Sequence, residues 1–204
     1  MSDTARSRPT VLAVWLILAG AVGWWAAFQL TLEKLRALTN PGEGASCDFS
    51  VLVQCTANLD SWQGSVFGFP NPLLGLSGWI APIVVGGALI AGARFARWFW
   101  IAFAGGLAFA FGFVIWLIGQ SIYELNTLCP WCMVTWAVTI PTFYAVILHL
   151  FAGGVIPVSA RTRRTARGLG AWIPLAAIVS YAVILLLAQV EMDAIPNILQ
   201  TLFG

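Results

Sequence analysis

The most regular feature of the chain is a series of long apolar segments without Asp, Glu, Lys or Arg. These segments cover residues 11–30, 72–93, 98–123, 128–152 and 171–190. Each holds about 20 residues or more, the length an α-helix needs to cross roughly 30 Å of hydrocarbon. The pattern predicts an all-α integral membrane protein with five transmembrane helices, and the short loops between most of them favour antiparallel neighbours in a bundle.

The longest polar stretch lies between the first two apolar segments, at residues 31–71. Its first eight residues, 31–38, continue the helical pattern of the first span, and Asn40-Pro-Gly-Glu-Gly then ends that pattern. Between Asn58 and Phe69 a capping-type residue is followed by mixed apolar and polar positions. This segment is predicted to form a short helix on the bilayer surface.

The overall composition narrows the class of protein. Hydrophobic residues make up 60% of the chain, charged residues 9%, and the mean hydropathy is +0.87, whereas soluble domains carry about 25% charged residues. A soluble enzyme and a nucleic-acid-binding domain are excluded, and a net charge of +2 is too small to indicate a polyanionic partner. Glycine pairs at 86–87 and 105–106 are expected to allow close approach of helices.

The distribution of charge predicts the orientation of the chain. Five spans divide the loops into two sets, and one set, comprising the N-terminus, the 94–97 link and the 153–170 loop, carries eight of the ten basic residues. Those eight are Arg6, Arg8, Arg94, Arg97, Arg161, Arg163, Arg164 and Arg167. The other set carries seven of the eight acidic residues. Because Lys and Arg remain cytoplasmic, the N-terminus is predicted inside and the C-terminus outside.

The four cysteines form two pairs of different character. Cys47 and Cys55 are separated by seven residues in the long loop, a spacing that allows the Cα separation of about 5.5 Å of a disulfide. Cys129 and Cys132 form a C-x-x-C motif that opens the fourth span, where the helix dipole favours the thiolate. The predicted topology puts all four outside the cytoplasm, where disulfides persist.

Three interpretations of these cysteines remain open from the residues alone. Two structural disulfides would satisfy the same composition, and a four-thiolate zinc site is less favoured because such sites usually pair two closely spaced C-x-x-C units. A dithiol relay is the third interpretation, and it also explains why the cysteines belong to a membrane protein. A mobile pair would collect electrons from a soluble protein and deliver them to a fixed pair, whose acceptor at the bilayer would be a lipid-soluble quinone.

Taken together, these features resemble the vitamin K epoxide reductase family in its bacterial form. The matching features are Cys47-x7-Cys55, Ser61, Asn71-Pro-Leu-Leu-Gly75 and Cys129-Pro-Trp-Cys132. The resemblance covers roughly residues 11–152. It implies a four-helix bundle core that surrounds a quinone, plus one additional helix.

The implied organisation has four parts. A cytoplasmic tail over residues 1–10 precedes a four-helix redox domain over 11–152, which includes an extracytoplasmic cysteine loop over 31–71. A basic cytoplasmic loop over 153–170 follows, and residues 171–204 form the fifth transmembrane helix and an extracytoplasmic tail.

The resemblance also implies roles for the cysteines. Cys47 would form a mixed disulfide with a thioredoxin-fold partner, Cys55 would shuttle to Cys129, and Cys132 would face the quinone. Some relatives carry an appended thioredoxin-like domain, and this chain ends at Gly204 without one. The partner is therefore expected to be a separate DsbA-like protein. The quinone is menaquinone or ubiquinone, menaquinone being the family-level expectation, and no metal is expected.

Four further residues are expected to contact the quinone or shape its pocket. Ser61 would hold the loop helix over the pocket, although a helix cap is the simpler role for a serine. Asn71 would donate a hydrogen bond to a quinone carbonyl, with turn chemistry as its alternative. Trp131 and Trp136 would wall the pocket or belong to the interfacial aromatic belt. Trp136 replaces a tyrosine of the vertebrate enzymes, so disulfide formation is favoured over reduction of vitamin K epoxide.

The sequence thus predicts a membrane thiol oxidoreductase that couples quinone reduction to disulfide formation in a separate partner. A DsbB-type oxidase places its C-x-x-C in the early loop, unlike this chain. The alternative from another class is a non-catalytic membrane scaffold or small transporter with structural disulfides. The five apolar segments contain no Asp, Glu, Lys or Arg, which argues against ion-coupled transport.

Overall fold

A computed structural model describes residues 9–40, 42, 44–193, 195, 196 and 199. This part of the chain is α-helical and contains no β-strand beyond one isolated bridge. The α-helices are α1 (Thr10–Thr39), α2 (Thr56–Asp60), α3 (Pro72–Gly78), α4 (Ile80–Ile90), α5 (Arg97–Gly119), α6 (Pro130–Ala152), α7 (Ala160–Leu169) and α8 (Ile173–Met192). Single turns of 3₁₀-helix cover Trp62–Ser65 and Gly170–Trp172, and a π-helical turn covers Gln120–Glu124.

Five helical segments of the described chain are long and apolar enough to cross a membrane, as predicted. They are Thr10–Thr39, Pro72–Ile90, Arg97–Glu124, Pro130–Ala152 and Ala160–Met192. The first is continuous from the bilayer into the polar stretch, so the expected helical continuation of the first span is confirmed. The protein is therefore an all-α integral membrane protein.

The first and fourth spans form the centre of the bundle. Helix α1 packs along α4 and α6, and α6 also packs against α5 and α8. One core cluster joins the start of α1, the end of α4, the start of α5 and the end of α6. A second cluster, at the other end of the bundle, contains Cys47, Cys55 and Cys129. The four cysteines and the basic 153–170 segment thus lie at opposite ends.

Glycines allow the close packing of α1 on the second span. A Cβ atom at Gly86 would lie 2.6 Å from the carbonyl oxygen of Ala13, and one at Gly23 would collide with the indole ring of Trp79. The expected close approach at the glycine pairs is thus correct for Gly86. The other three have open space where a Cβ would lie, and they are Gly87, Gly105 and Gly106.

Two segments depart from the sequence-based expectation. The predicted helix from Asn58 to Phe69 is wrong in extent, because α2 ends at Asp60 and a separate 3₁₀ turn follows. Ser61 breaks the helix: its backbone is extended, with φ −73° and ψ 158°. The second segment is the predicted loop over 153–170, most of which is helical, because it contains α7 (Ala160–Leu169). Ser159 caps this helix by accepting a hydrogen bond from the Thr162 N–H. Most of the predicted tail over residues 1–10, including Arg6 and Arg8, lies outside the described residues.

Candidate functional site

The cysteine loop is closed by a disulfide and by one carboxylate. Cys47 and Cys55 are bonded to each other with their Cα atoms 5.7 Å apart, and both are buried. Asp48 Oδ1 accepts from the backbone N–H groups of Cys55 (2.6 Å) and Thr56 (3.1 Å). Its Oδ2 accepts from the Ala45 N–H (3.0 Å) and the Thr56 hydroxyl (2.5 Å). Burial raises the pKa of Asp48, but these hydrogen bonds outweigh burial and lower it overall, so the carboxylate stays ionised.

A second carboxylate anchors the loop to the end of α1. Glu33 is buried, and it accepts from the Ser46 N–H (3.1 Å), the Ser46 hydroxyl (2.5 Å) and the Arg36 guanidinium (2.9 Å). Nearby, Lys34 forms an ion pair of 2.9 Å with Asp60 at the end of α2. The Glu33 contacts hold Ser46, the neighbour of Cys47, against α1, and the exposed ion pair joins the far end of α2 to the same helix.

A pair of backbone hydrogen bonds joins the loop to the start of α6. The N–H of Gln54 donates to the carbonyl of Leu128 (3.1 Å), and the N–H of Leu128 donates to the carbonyl of Leu52 (2.7 Å). Cys55 and Cys129 are the residues that directly follow Gln54 and Leu128. This short bridge therefore brings one cysteine of each pair together.

The sulfur atoms of the two pairs are in contact. Cys129 Sγ lies 3.4 Å from Cys55 Sγ, and both side chains are fully buried. Cys129 directly precedes the first residue of α6 and is a free thiol, as is Cys132. A hydrogen bond from the Cys132 side chain lowers the pKa of the Cys129 thiol against the opposing effect of burial, which favours the nucleophilic thiolate. From this position, attack on Cys55 would release Cys47.

A cavity of about 630 Å³ lies beside Cys132, between the second and third spans. Its walls come from the end of α1, the Trp62–Ser65 turn, α3 to α6 and the π-helical turn, and they are predominantly apolar. Ligand sites for small molecules are typically of this size, about 300–1,000 Å³, with few polar groups. The volume and the lining therefore suit an apolar ring-containing ligand.

The four expected quinone contacts divide into two groups. Asn71 and Trp136 line the cavity, whereas Ser61 and Trp131 do not. Ser61 has the capping role that was the simpler alternative, since its hydroxyl accepts from the Gly64 N–H at 3.2 Å. Trp131 instead packs against the cluster of buried cysteines.

Asn71 already makes internal hydrogen bonds. Its Nδ2 donates to the carbonyl of Gln63 at 2.6 Å, and its Oδ1 accepts from the Val66 N–H at 3.3 Å. These bonds connect the 3₁₀ turn to the start of α3, which is the turn chemistry that was the alternative to a quinone contact. One N–H of the Asn71 amide remains for a ligand.

Several polar residues of the site were not anticipated from the sequence. Asp48 and Glu33 organise the loop, and Gln63 and Gln120 meet in the cavity wall with Gln63 Nε2 donating to Gln120 Oε1 at 3.1 Å. Gln120 carried a sequence signal, as an amide at the end of an apolar span. Gln63 carried none, because the turn that aims it inward depends on Ser61.

The loop cysteines do not offer a metal site in this state. Cys47, Asp48 and Cys55 have donor atoms within 4.8 Å of one another, but the disulfide uses both sulfur atoms. A zinc ion requires thiolates. Cys129 and Cys132 are free thiols, whereas the alternative with two structural disulfides would bond them to each other.

Comparison with known families gives one match. The Vitamin K epoxide reductase family matches residues 14–147, well over half of the chain, and the chain belongs to this family. A search of curated proteins found no match. The chain is therefore a membrane oxidoreductase, as its family, its five apolar spans and its two cysteine pairs indicate.

Proposed function

We propose that this family member transfers two electrons from the dithiol of a separate thioredoxin-fold protein to a quinone, and so forms disulfides in that protein. The observation that carries the proposal is the 3.4 Å contact between Cys129 Sγ and Cys55 Sγ, with Cys132 in the wall of the apolar cavity. Reacting atoms about 3–3.5 Å apart are in near-attack geometry. The contact supports direct exchange between the two pairs.

The outer half of the proposed relay runs from the partner to the loop. With Cys47 and Cys55 bonded, a partner thiolate attacks Cys47 Sγ and releases the Cys55 thiolate. The second partner thiol then attacks the mixed disulfide, which oxidises the partner and releases Cys47. The loop has gained two electrons and holds two reduced cysteines.

The inner half passes these electrons to the C-x-x-C pair. When Cys129 and Cys132 form a disulfide, the Cys55 thiolate attacks Cys129 Sγ and releases Cys132. Cys47 then attacks Cys55, which restores the loop disulfide and releases Cys129. The products are the bonded loop and the two free thiols that the structure contains.

The cavity residues suit a quinone head group. The walls are predominantly apolar, and the buried amide oxygen of Gln63 has no hydrogen-bond partner among the described residues. When bound, a quinone supplies a two-electron acceptor. Asn71, Trp136 and Gln63 would hold its ring, Cys132 would present sulfur to it, and the apolar walls would exclude water. Menaquinone and ubiquinone both satisfy these requirements.

The proposed orientation places the cysteine end of the bundle outside the cytoplasm. Arg94, Arg97 and the four arginines of α7 belong to the opposite end, which agrees with retention of basic loops in the cytoplasm. An oxidising compartment would then surround the loop disulfide.

The proposal is tested with the purified full-length chain in lipid nanodiscs, a reduced DsbA-like protein and ubiquinone or menaquinone. Cys132→Ala should abolish partner oxidation. Cys47→Ala should block exchange with the partner while quinone still oxidises Cys129 and Cys132. Turnover by Cys132→Ala would refute its role, and loss of both activities in Cys47→Ala would refute the order of the relay.

The same preparation tests the scaffold alternative. Structural disulfides resist mild reductant and do not respond to quinone, whereas relay cysteines exchange readily. Trapping in cells with Cys55→Ala, followed by identification of the protein attached to Cys47, would identify the partner.

A further inference from the structure

The amide of Gln63 is an unusual feature of the cavity wall. Gln63 is 5% exposed and its Nε2 donates to Gln120 Oε1, but its Oε1 has no hydrogen-bond partner within the part of the chain that the structure describes. Buried polar atoms are almost always hydrogen-bonded, because an unpaired one retains the full penalty of its desolvation. This acceptor belongs to a residue that lines an apolar cavity, where a bound ligand with a hydroxyl group can supply the missing donor.

The neighbouring amide of Asn58 shows the contrast. Asn58 also lines the cavity, yet its Nδ2 donates to the Thr127 hydroxyl at 2.9 Å and its Oδ1 accepts from the Ser121 hydroxyl at 3.1 Å. Both ends of this amide are satisfied within the protein. The fold provides hydrogen-bond partners for one cavity amide and leaves one acceptor of the other available.

We propose that Gln63, braced by Gln120, is the residue that recognises the reduced form of the quinone, its amide oxygen accepting a hydrogen bond from a hydroxyl of the quinol head group. This inference rests on the proposed function. Trp136, which also lines the cavity, has an indole N–H that only donates. The hydroxyl of a quinol needs an acceptor, and Gln63 supplies one.

The paired amides can also serve the oxidised form. Rotation of both amides by 180° exchanges their donors and acceptors, so that Gln120 donates to Gln63 Oε1 and Gln63 Nε2 turns to the ligand. In that arrangement Gln63 donates to a quinone carbonyl. One pair of side chains thereby matches both redox states of the ligand without movement of the backbone.

The test measures binding instead of turnover. The full chain carrying Cys132→Ala is placed in nanodiscs, and quenching of tryptophan fluorescence gives the affinity for a short-chain ubiquinone and for its quinol. Adding Gln63→Met, which keeps the length of the side chain but removes the acceptor, should weaken quinol binding about tenfold, the effect of one hydrogen bond to a buried group.

The controls separate this inference from the function on which it rests. Gln189→Met changes a glutamine of α8 outside the cavity and should leave quinol affinity unchanged. Equal quinol affinity with and without the Gln63→Met substitution would overturn the inference while the proposed function stands. Absence of saturable binding when Gln63 is intact would overturn both.

A second variant serves if Gln63→Met does not yield folded protein. Gln120→Met removes the brace and should also weaken quinol binding. Unchanged binding in Gln120→Met would overturn the inference.

Discussion

At the scale of single residues, Asp48 has the largest predicted effect outside the cysteines. Its two oxygens accept four hydrogen bonds from both sides of the loop disulfide. In Asp48→Asn one oxygen becomes an NH₂ group that cannot accept, so the hydrogen bonds on one of the two oxygens are lost and the loop around Cys55 is held less firmly. Exchange between the two pairs should slow by roughly tenfold, since bonds to a charged group contribute about 1.5–3 kcal/mol each. Stopped-flow alkylation followed by mass spectrometry measures this rate.

Asp60→Asn is the matched control for Asp48→Asn, because within the described part of the chain Asp60 forms an exposed ion pair with Lys34, and such pairs contribute about 0–1 kcal/mol. Its exchange rate should stay close to that of the unchanged chain. Similar losses in both variants would contradict the role given to Asp48.

The lowered pKa of Asp48 also predicts a pH dependence. Stability from a carboxyl whose pKa is lowered by folding is present above the pKa of the unfolded group, about 3.9, and is lost as the pH falls toward the folded value. The melting temperature of the unchanged chain should therefore fall below about pH 4 more steeply than that of Asp48→Asn. Parallel melting curves would contradict this assignment.

The sequence allowed the chemistry of the site to be predicted, but not its polar support. Cysteine spacing alone indicated two pairs of different character, because sulfur chemistry depends on few residue types, and it left structural disulfides, a zinc site and a dithiol relay as alternatives. Asp48 and Glu33 could not be assigned in advance, since an acidic residue in a polar loop is usually solvated. Their roles depend on which backbone N–H groups the folded loop turns toward them.

At the scale of elements, the contact between α1 and α4 depends on one glycine of the pair at 86–87. Gly86→Ala would put a methyl group 2.6 Å from the carbonyl oxygen of Ala13, which is backbone and cannot rotate away. The helices must separate, and overpacking of this kind costs about 1–3 kcal/mol. The melting temperature in detergent should fall by several degrees. Gly87→Ala, which meets open space, should leave it unchanged, and an equal loss in both variants would contradict this packing.

Helical spans were predictable because an apolar run of sufficient length has few alternatives in a bilayer. The short helices around the site were less so. Ser61 ends α2 by donating to the Asn58 carbonyl at 2.8 Å and then caps the next turn. A hydrophobic pattern read across residues 58–69 does not reveal this break, because serine is tolerated within a surface helix as well as at its cap.

At the scale of the whole molecule, the distribution of arginines predicts which face each end of the bundle meets. Val51 in the cysteine loop and Arg164 in α7 are both exposed, at opposite ends. In a chain whose four cysteines are replaced by Ala, Val51→Cys should react with a membrane-impermeant thiol reagent applied to intact cells. Arg164→Cys should react only after permeabilisation. The reverse pattern would contradict the proposed topology.

The measurement that tests the central claim most directly is the disulfide content of a chain reduced to two cysteines. Cys47→Ala with Cys132→Ala leaves Cys55 and Cys129, whose sulfur atoms lie 3.4 Å apart. Mild oxidation of the purified protein should bond these two cysteines almost completely, as measured by mass spectrometry after alkylation. Cys55→Ala with Cys132→Ala, which leaves Cys47 and Cys129, should bond far less. Two free thiols in the first variant, or equal bonding in both, would contradict direct exchange between the pairs.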